Sequence, residues 1–237
     1  MPRSGPGRTR MKASIQRGIK FYNTKRFKQA LEEFRAVDED PSENSELAYY
    51  IGLTLTQLER YDESLIYLEQ VVNSHTSFLH IYQSRMILGY IYSITGRYKL
   101  AEFEFRKLLE LGMESIQIFS SLGYIYYAMG RIEEGVEMLE KALELDPHYP
   151  NALNSLGFIY AEENIDYARA LEYCKRSVEI RPDNAAYLDS MGWAHYKLGN
   201  LTEARTYLRK ALDMASGNRE IALHLKSVLD ALAEKGD

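Results

Sequence analysis

Apolar and polar positions follow one order that returns six times along the chain. A stretch rich in aliphatic residues ends on a glycine, at Gly18, Gly52, Gly89, Gly123, Gly157 and Gly192, and these glycines are spaced 34, 37, 34, 34 and 35 residues apart. Twelve or thirteen residues after each stands a small residue, Ala30, Ser64, Ala101, Gly135, Ala170 or Ala204. Four further on comes a larger one, Phe34, Leu68, Phe105, Leu139, Cys174 or Leu208. The order predicts a helix, a tight turn and a second helix, with small residues where two backbones approach and larger ones filling the gaps. Turn chemistry marks the middle of several units, as in "SITGRYKLAE", "AMGRIEEG" and "KLGNLTEA". Pro147 and Pro182, in "ELDPHYP" and "EIRPDNA", each stop one unit before the next begins. Each pair leaves an apolar face uncovered until its neighbour stacks on it, so the units are expected to form one solenoid and not six domains.

These residues resemble the tetratricopeptide repeat family, whose pattern of about 34 residues runs W-x2-L-G-x2-Y, then A-x3-F, then P. The fourth unit carries Phe119, Leu122-Gly123, Tyr126, Gly135, Leu139, Ala142 and Pro147 at those places, and the sixth Leu188, Met191-Gly192, His195, Ala204, Leu208 and Ala211. The runs "NALNSLGFIYAEE" and "AAYLDSMGWAHYKLGNLTEA" are similar to bacterial members. The resemblance implies an all-α fold, a right-handed superhelical solenoid of about six repeats over residues 11–218, with units starting near Met11, Ser45, Tyr82, Ile116, Pro150 and Ala185. Residues 219–237 are expected to form a capping helix and tail, with Ile221, Leu225, Val228, Leu229 and Leu232 on one face. Residues 1–10 read as a disordered tail or a scar of cloning. Arg17 stands where the other units have an aliphatic residue, as suits the wetter face of a terminal repeat. Three residues are inserted near "NSHTSFLHIY" and one in "AEENIDYARA", and each insertion is expected to bend the stack or present a loop.

Composition narrows the function classes. With 46% hydrophobic and 27% charged residues, a core of ordinary size is available. The net charge is -5, and three arginines sit in the first ten residues, so the body is more acidic still. That argues against a nucleic-acid partner, which needs clustered Lys and Arg. The single cysteine, Cys174, can neither close an internal disulfide nor complete a Cys-based zinc site, and its place in the pattern predicts a buried, inert thiol. His75, His80, His148, His195 and His224 fall apart from one another; His75 and His80 share the inserted segment, where a solvated loop is the simpler reading than a metal pair. No phosphate-binding loop or nucleophile elbow occurs. The expectation is a protein without catalytic residues, metal or cofactor. No apolar run reaches the length of a membrane span, so no direct membrane insertion is expected. A cytoplasmic location follows, or a periplasmic or membrane-associated one if an upstream targeting segment has been removed.

The resemblance further implies that the first helix of each pair lines a concave groove. Carried over by residue, its innermost positions are Ile19, Leu53, Tyr90, Tyr124, Phe158 and Trp193, all apolar or aromatic. With their neighbours Tyr49, Tyr127, Tyr196, Asn151 and Asn154, the residues Tyr90, Tyr124, Phe158 and Trp193 form the candidate partner-binding set. Aromatic rings supply contact area at low rotamer cost, and an Asn can hold a peptide backbone through both donor and acceptor. Rings at helical spacing also pack between repeats, and the two uses are compatible. The clamp of Lys and Asn with which some members grip a chaperone C-terminus is missing. Trp193 is an addition to the pattern, whose own Trp place is filled by Leu188, and His195 belongs to the packing face, where an interhelix hydrogen bond is expected. The function these features imply is a scaffold binding a partner peptide or helix in the groove. The alternatives are a self-associating adaptor using the same surface and an envelope or lipoprotein assembly factor.

Overall fold

The computed structural model describes residues 6–74 and 77–235, and every regular element among them is an α-helix. The helices come in pairs: α1 (Pro6–Asn23) with α2 (Phe27–Arg35), α3 (Ser45–Gln57) with α4 (Tyr61–Val72), and α5 (Phe78–Ile94) with α6 (Tyr98–Glu110). These make up one compact unit, residues 1–113. A second unit, residues 114–237, holds α7 (Ile116–Ala128) with α8 (Ile132–Leu145), α9 (Pro150–Glu162) with α10 (Tyr167–Ile180), α11 (Ala185–Lys197) with α12 (Leu201–Met214), and α13 (Arg219–Lys235).

In the first unit, the recurring glycines are where a second helix lays a large side chain against the first. A Cβ on Gly52 would fall 2.6 Å from Leu68, and one on Gly89 would fall 2.6 Å from the Phe105 ring. Ser64, the small residue of its repeat, does more than leave room: its buried hydroxyl donates to the Gly52 carbonyl at 2.8 Å, tying α4 to α3. Leu47, Ile51 and Leu55 of α3 then close over Ala30, Leu31 and Phe34 of α2, which joins consecutive pairs. Arg85 and Glu104 link α5 to α6 by an ion pair of 2.6 Å with side chains only 14% and 8% exposed. Burial pushes the Glu104 carboxyl up, against the opposing pull of Arg85. Arg17 lies in the open and pairs with Glu33 at 3.0 Å.

The inserted residues before the third pair lengthen a helix. Helix α5 begins at Phe78, ahead of Tyr82, and this extra turn carries His80 onto the ring of Tyr49, 4.1 Å between centroids. His75 lies outside the described residues, and so does the pairing of His75 with His80. Residues 1–5 of the expected N-terminal tail are likewise outside them, whereas α1 already runs from Pro6.

In the second unit the same close packing recurs. A Cβ on Gly192 would lie 2.6 Å from Leu208, and one on Gly157 would lie 3.0 Å from the Ala170 carbonyl oxygen and the Cys174 nitrogen. Beside the Cys174 sulfur, which is nearer still, these two neighbours are backbone atoms and cannot swing aside. Gly157→Ala is therefore expected to cost about 1–3 kcal/mol by forcing α9 and α10 apart. Urea denaturation would measure it, and an unchanged midpoint would show that the two helices are not held by this contact.

The residue inserted in the fifth repeat lengthens its turn to Glu163–Asp166, with Asn164 at φ 55°. Asp166 then caps α10, its Oδ1 accepting from the Ala168 and Arg169 amides at 3.0 Å. Arg26, Arg60, Arg97 and Arg131 precede their helices without a side-chain cap. Helix α13 buries Ile221 against Leu188 and Ala211, and Val228 against Leu201, Ala204 and Leu208. Leu225 and Leu232 are partly covered, but Leu229 departs from the expected face and is 39% exposed.

Candidate partner-binding face

In the second unit, helices α7, α9, α11 and α13 bring a row of rings together. Tyr127 meets Phe158 edge-on at 6.1 Å between centroids, and Phe158 lies 6.4 Å from the His224 imidazole. His224 stacks on Trp193 at 4.2 Å, and Trp193 on Tyr196 at 4.9 Å. All five rings are half-buried. Polar partners fix two of them. The Trp193 indole N–H donates to Glu162 Oε2 at 2.6 Å, and His224 Nδ1 lies 2.9 Å from Asp189 Oδ1. Lys197 sits 5.2 Å from the centroid of the Trp193 ring while pairing with Glu162 at 3.3 Å. The Tyr127 hydroxyl is pushed up to about 12, first by burial and then by the charges of Glu163 and Glu162, a hydrogen bond to Glu163, and Glu220.

The other candidate residues are placed differently. Asn151 has its amide engaged inside the unit: Oδ1 accepts from the Tyr187 hydroxyl, and Nδ2 donates to the Tyr149 hydroxyl at 3.3 Å. Asn154 Oδ1 is buried and unbonded, so it offers no acceptor at the surface. Tyr124 is 49% exposed. Tyr49 and Tyr90 belong to the first unit. There Tyr49 is 5% exposed, covered by His80, and donates its hydroxyl to Gln83, which makes it a packing residue; Tyr90 is 51% exposed.

His195 makes its contact across the pair with a ring: it stacks on Tyr207 of α12 at 5.4 Å. In place of the expected interhelix hydrogen bond, its polar contact is with Asn200 in the turn, at 3.5 Å. Burial pushes the imidazole down, toward the neutral form that this apolar setting favours. Cys174 is fully buried, and burial pushes its thiol up, away from the reactive thiolate. Among the described residues no three His, Cys, Asp or Glu side chains are grouped to hold a metal ion, and no helix is long and apolar enough to cross a membrane.

His224 and Glu220 belong to this face and are not placed there by the repeat pattern, whereas Glu162 and Asp189 stand at its groove positions on α9 and α11 outside the candidate set. One signal could have found His224. Helix α13 starts at Arg219, 34 residues after α11 starts at Ala185, which is the spacing of one more first helix.

Sequence models of the tetratricopeptide repeat match residues 82–111 and 148–216, and one described as a TPR repeat matches residues 123–163. The chain is a tetratricopeptide repeat protein. A curated relative, the TPR repeat-containing protein PA4667 of Pseudomonas aeruginosa, is 40% identical over 65 residues. That match spans 27% of this chain and only 11% of the relative. Among solved structures, the tetratricopeptide fold is shared with the APC/C hetero-tetramer Cut9-Hcn1, at TM-score 0.71 and 13% identity over 92% of this chain and 43% of that one. YrrB, described as a TPR protein with an unusual peptide-binding site, matches at 0.57 and 23% over 85% of this chain and 97% of its own. MamA from Desulfovibrio magneticus RS-1 matches at 0.66 and 19% over 75% and 97%.

Proposed function

We propose that this repeat protein is a non-enzymatic scaffold that binds a partner polypeptide on the inner face of α7, α9, α11 and α13. The observation that carries the reading is the unbroken row Tyr127, Phe158, His224, Trp193 and Tyr196. Half-buried rings are held before any partner arrives, two of them by Glu162 and Asp189, so little rotamer freedom remains to be lost on binding. Aromatic anchors of this kind dominate measured binding hot spots. The fold shared with YrrB, described as having a peptide-binding site, supports the same use of the scaffold.

A photo-crosslinking residue placed at Tyr196, and separately at exposed Glu172 on α10, tests this in cells of the native organism. Tyr196 is expected to capture a discrete polypeptide that Glu172 does not. Equal labelling from both positions would count against the inner face.

A further inference from the structure

Resting on that reading, we propose that the segment bound on this face is basic as well as apolar, with an Arg or Lys of the partner lying beside Tyr127 among Glu162, Glu163 and Glu220. The ring row alone would accept any apolar segment. Its borders are what discriminate. Four carboxylates, Glu162, Glu163, Asp189 and Glu220, adjoin the row, and of these Asp189 is held by His224 and Glu162 by Trp193 and Lys197. Among the described residues, Lys197 is the lysine that lies over the rings of the row, and its ion pair is with Glu162. Glu163 and Glu220 are exposed: Glu163 follows Glu162 at the end of α9 and accepts from the Tyr127 hydroxyl, and Glu220 stands one turn before His224 on α13.

The acidic character also extends from Glu163 to side chains of α8, a helix that contributes no ring to the row. Glu163 also lines an open cavity of about 520 Å³ with an apolar floor of Ile132, Val136 and Ile165 and further carboxylates at Glu133 and Glu140. An extended segment lying across Phe158 and Trp193 would meet a negative border at Tyr127, and a cationic side chain gains there from both the carboxylates and the ring face. Elsewhere the chain uses this pairing internally: the Arg131 guanidinium lies 4.2 Å from the Tyr126 centroid while bonding Glu134. An acidic segment would be repelled, which gives the face selectivity beyond shape.

The test uses the full chain and three short synthetic peptides with the same apolar residues and no tryptophan, differing only in carrying arginines, glutamines or glutamates. Trp193, the only tryptophan in the chain, reports occupancy of the face by its fluorescence. The arginine peptide is expected to bind about tenfold more tightly than the glutamine one, a difference of one well-placed charge contact, and the glutamate peptide least. Glu163→Gln with Glu220→Gln, both exposed positions, should remove most of that preference without moving the thermal midpoint, and added salt should shrink it. Equal affinity for the arginine and glutamine peptides, with Trp193 responding to both, would overturn the charge inference and leave the groove reading standing. Arginine-peptide binding that leaves Trp193 unmoved would place the contact elsewhere and overturn both. An arginine preference that survives the double substitution, or no binding by any of the three, overturns the inference.

Discussion

Phe105→Ala is expected to destabilise the protein by about 3–5 kcal/mol. The ring is 1% exposed and fills the space over Gly89, where even a Cβ would approach it to 2.6 Å. Removing it opens a cavity against a residue with no side chain to move in, so relaxation is limited to whatever the backbones of α5 and α6 can manage. Gly89→Ala alone should cost about 1–3 kcal/mol by overpacking. Placed together with Phe105→Ala, the added methyl enters the vacated space, and the pair should cost less than the sum of the two. Urea denaturation of the three variants reads this coupling. Strictly additive losses would mean that ring and glycine do not share one packing site.

That coupling is also why so much of the fold could be read from the sequence. Each glycine faces the large residue that follows it at a fixed distance: Gly18 with Phe34, Gly52 with Leu68, Gly89 with Phe105, Gly123 with Leu139, Gly192 with Leu208. Gly157 meets Cys174 one residue later, because the longer turn before Asp166 intervenes. A steric requirement repeated at constant spacing leaves a visible pattern. Hydrogen bonds and stacking between repeats do not, since they join side chains some thirty-five residues apart whose types vary. Thus Tyr187 takes up the Asn151 amide, Asp189 holds His224, and Glu162 holds Trp193 without any local signature. Tyr49 illustrates the other failure. Its repeat position suggested a groove residue, but the insertion extends α5 by a turn and lays His80 over it. An insertion adds the same residues to the sequence whether it becomes a loop or a helix, and only packing decides.

Trp193→Ala is the second large effect, and it separates a binding face from a core. Loss of the ring is expected to weaken partner binding by about 2–4 kcal/mol, roughly 30- to 1,000-fold in affinity. Stability should fall less than for Phe105→Ala, because Trp193 is half-buried and packs on Tyr196 and His224 along an open row. Glu162 loses the indole donor in the variant but keeps Lys197 as a partner, so no buried charge is stranded. Trp193→Phe, which keeps a smaller stacking surface and drops the hydrogen bond to Glu162, should bind the partner with an affinity between those of the unaltered chain and Trp193→Ala.

The most direct measurement is therefore the affinity of the full chain and of its Trp193→Ala variant for the polypeptide captured through Tyr196, taken alongside their thermal midpoints. A large loss of affinity with a modest fall in midpoint is the predicted result; unchanged affinity, with a midpoint lowered as far as by Phe105→Ala, would contradict the assignment of this face.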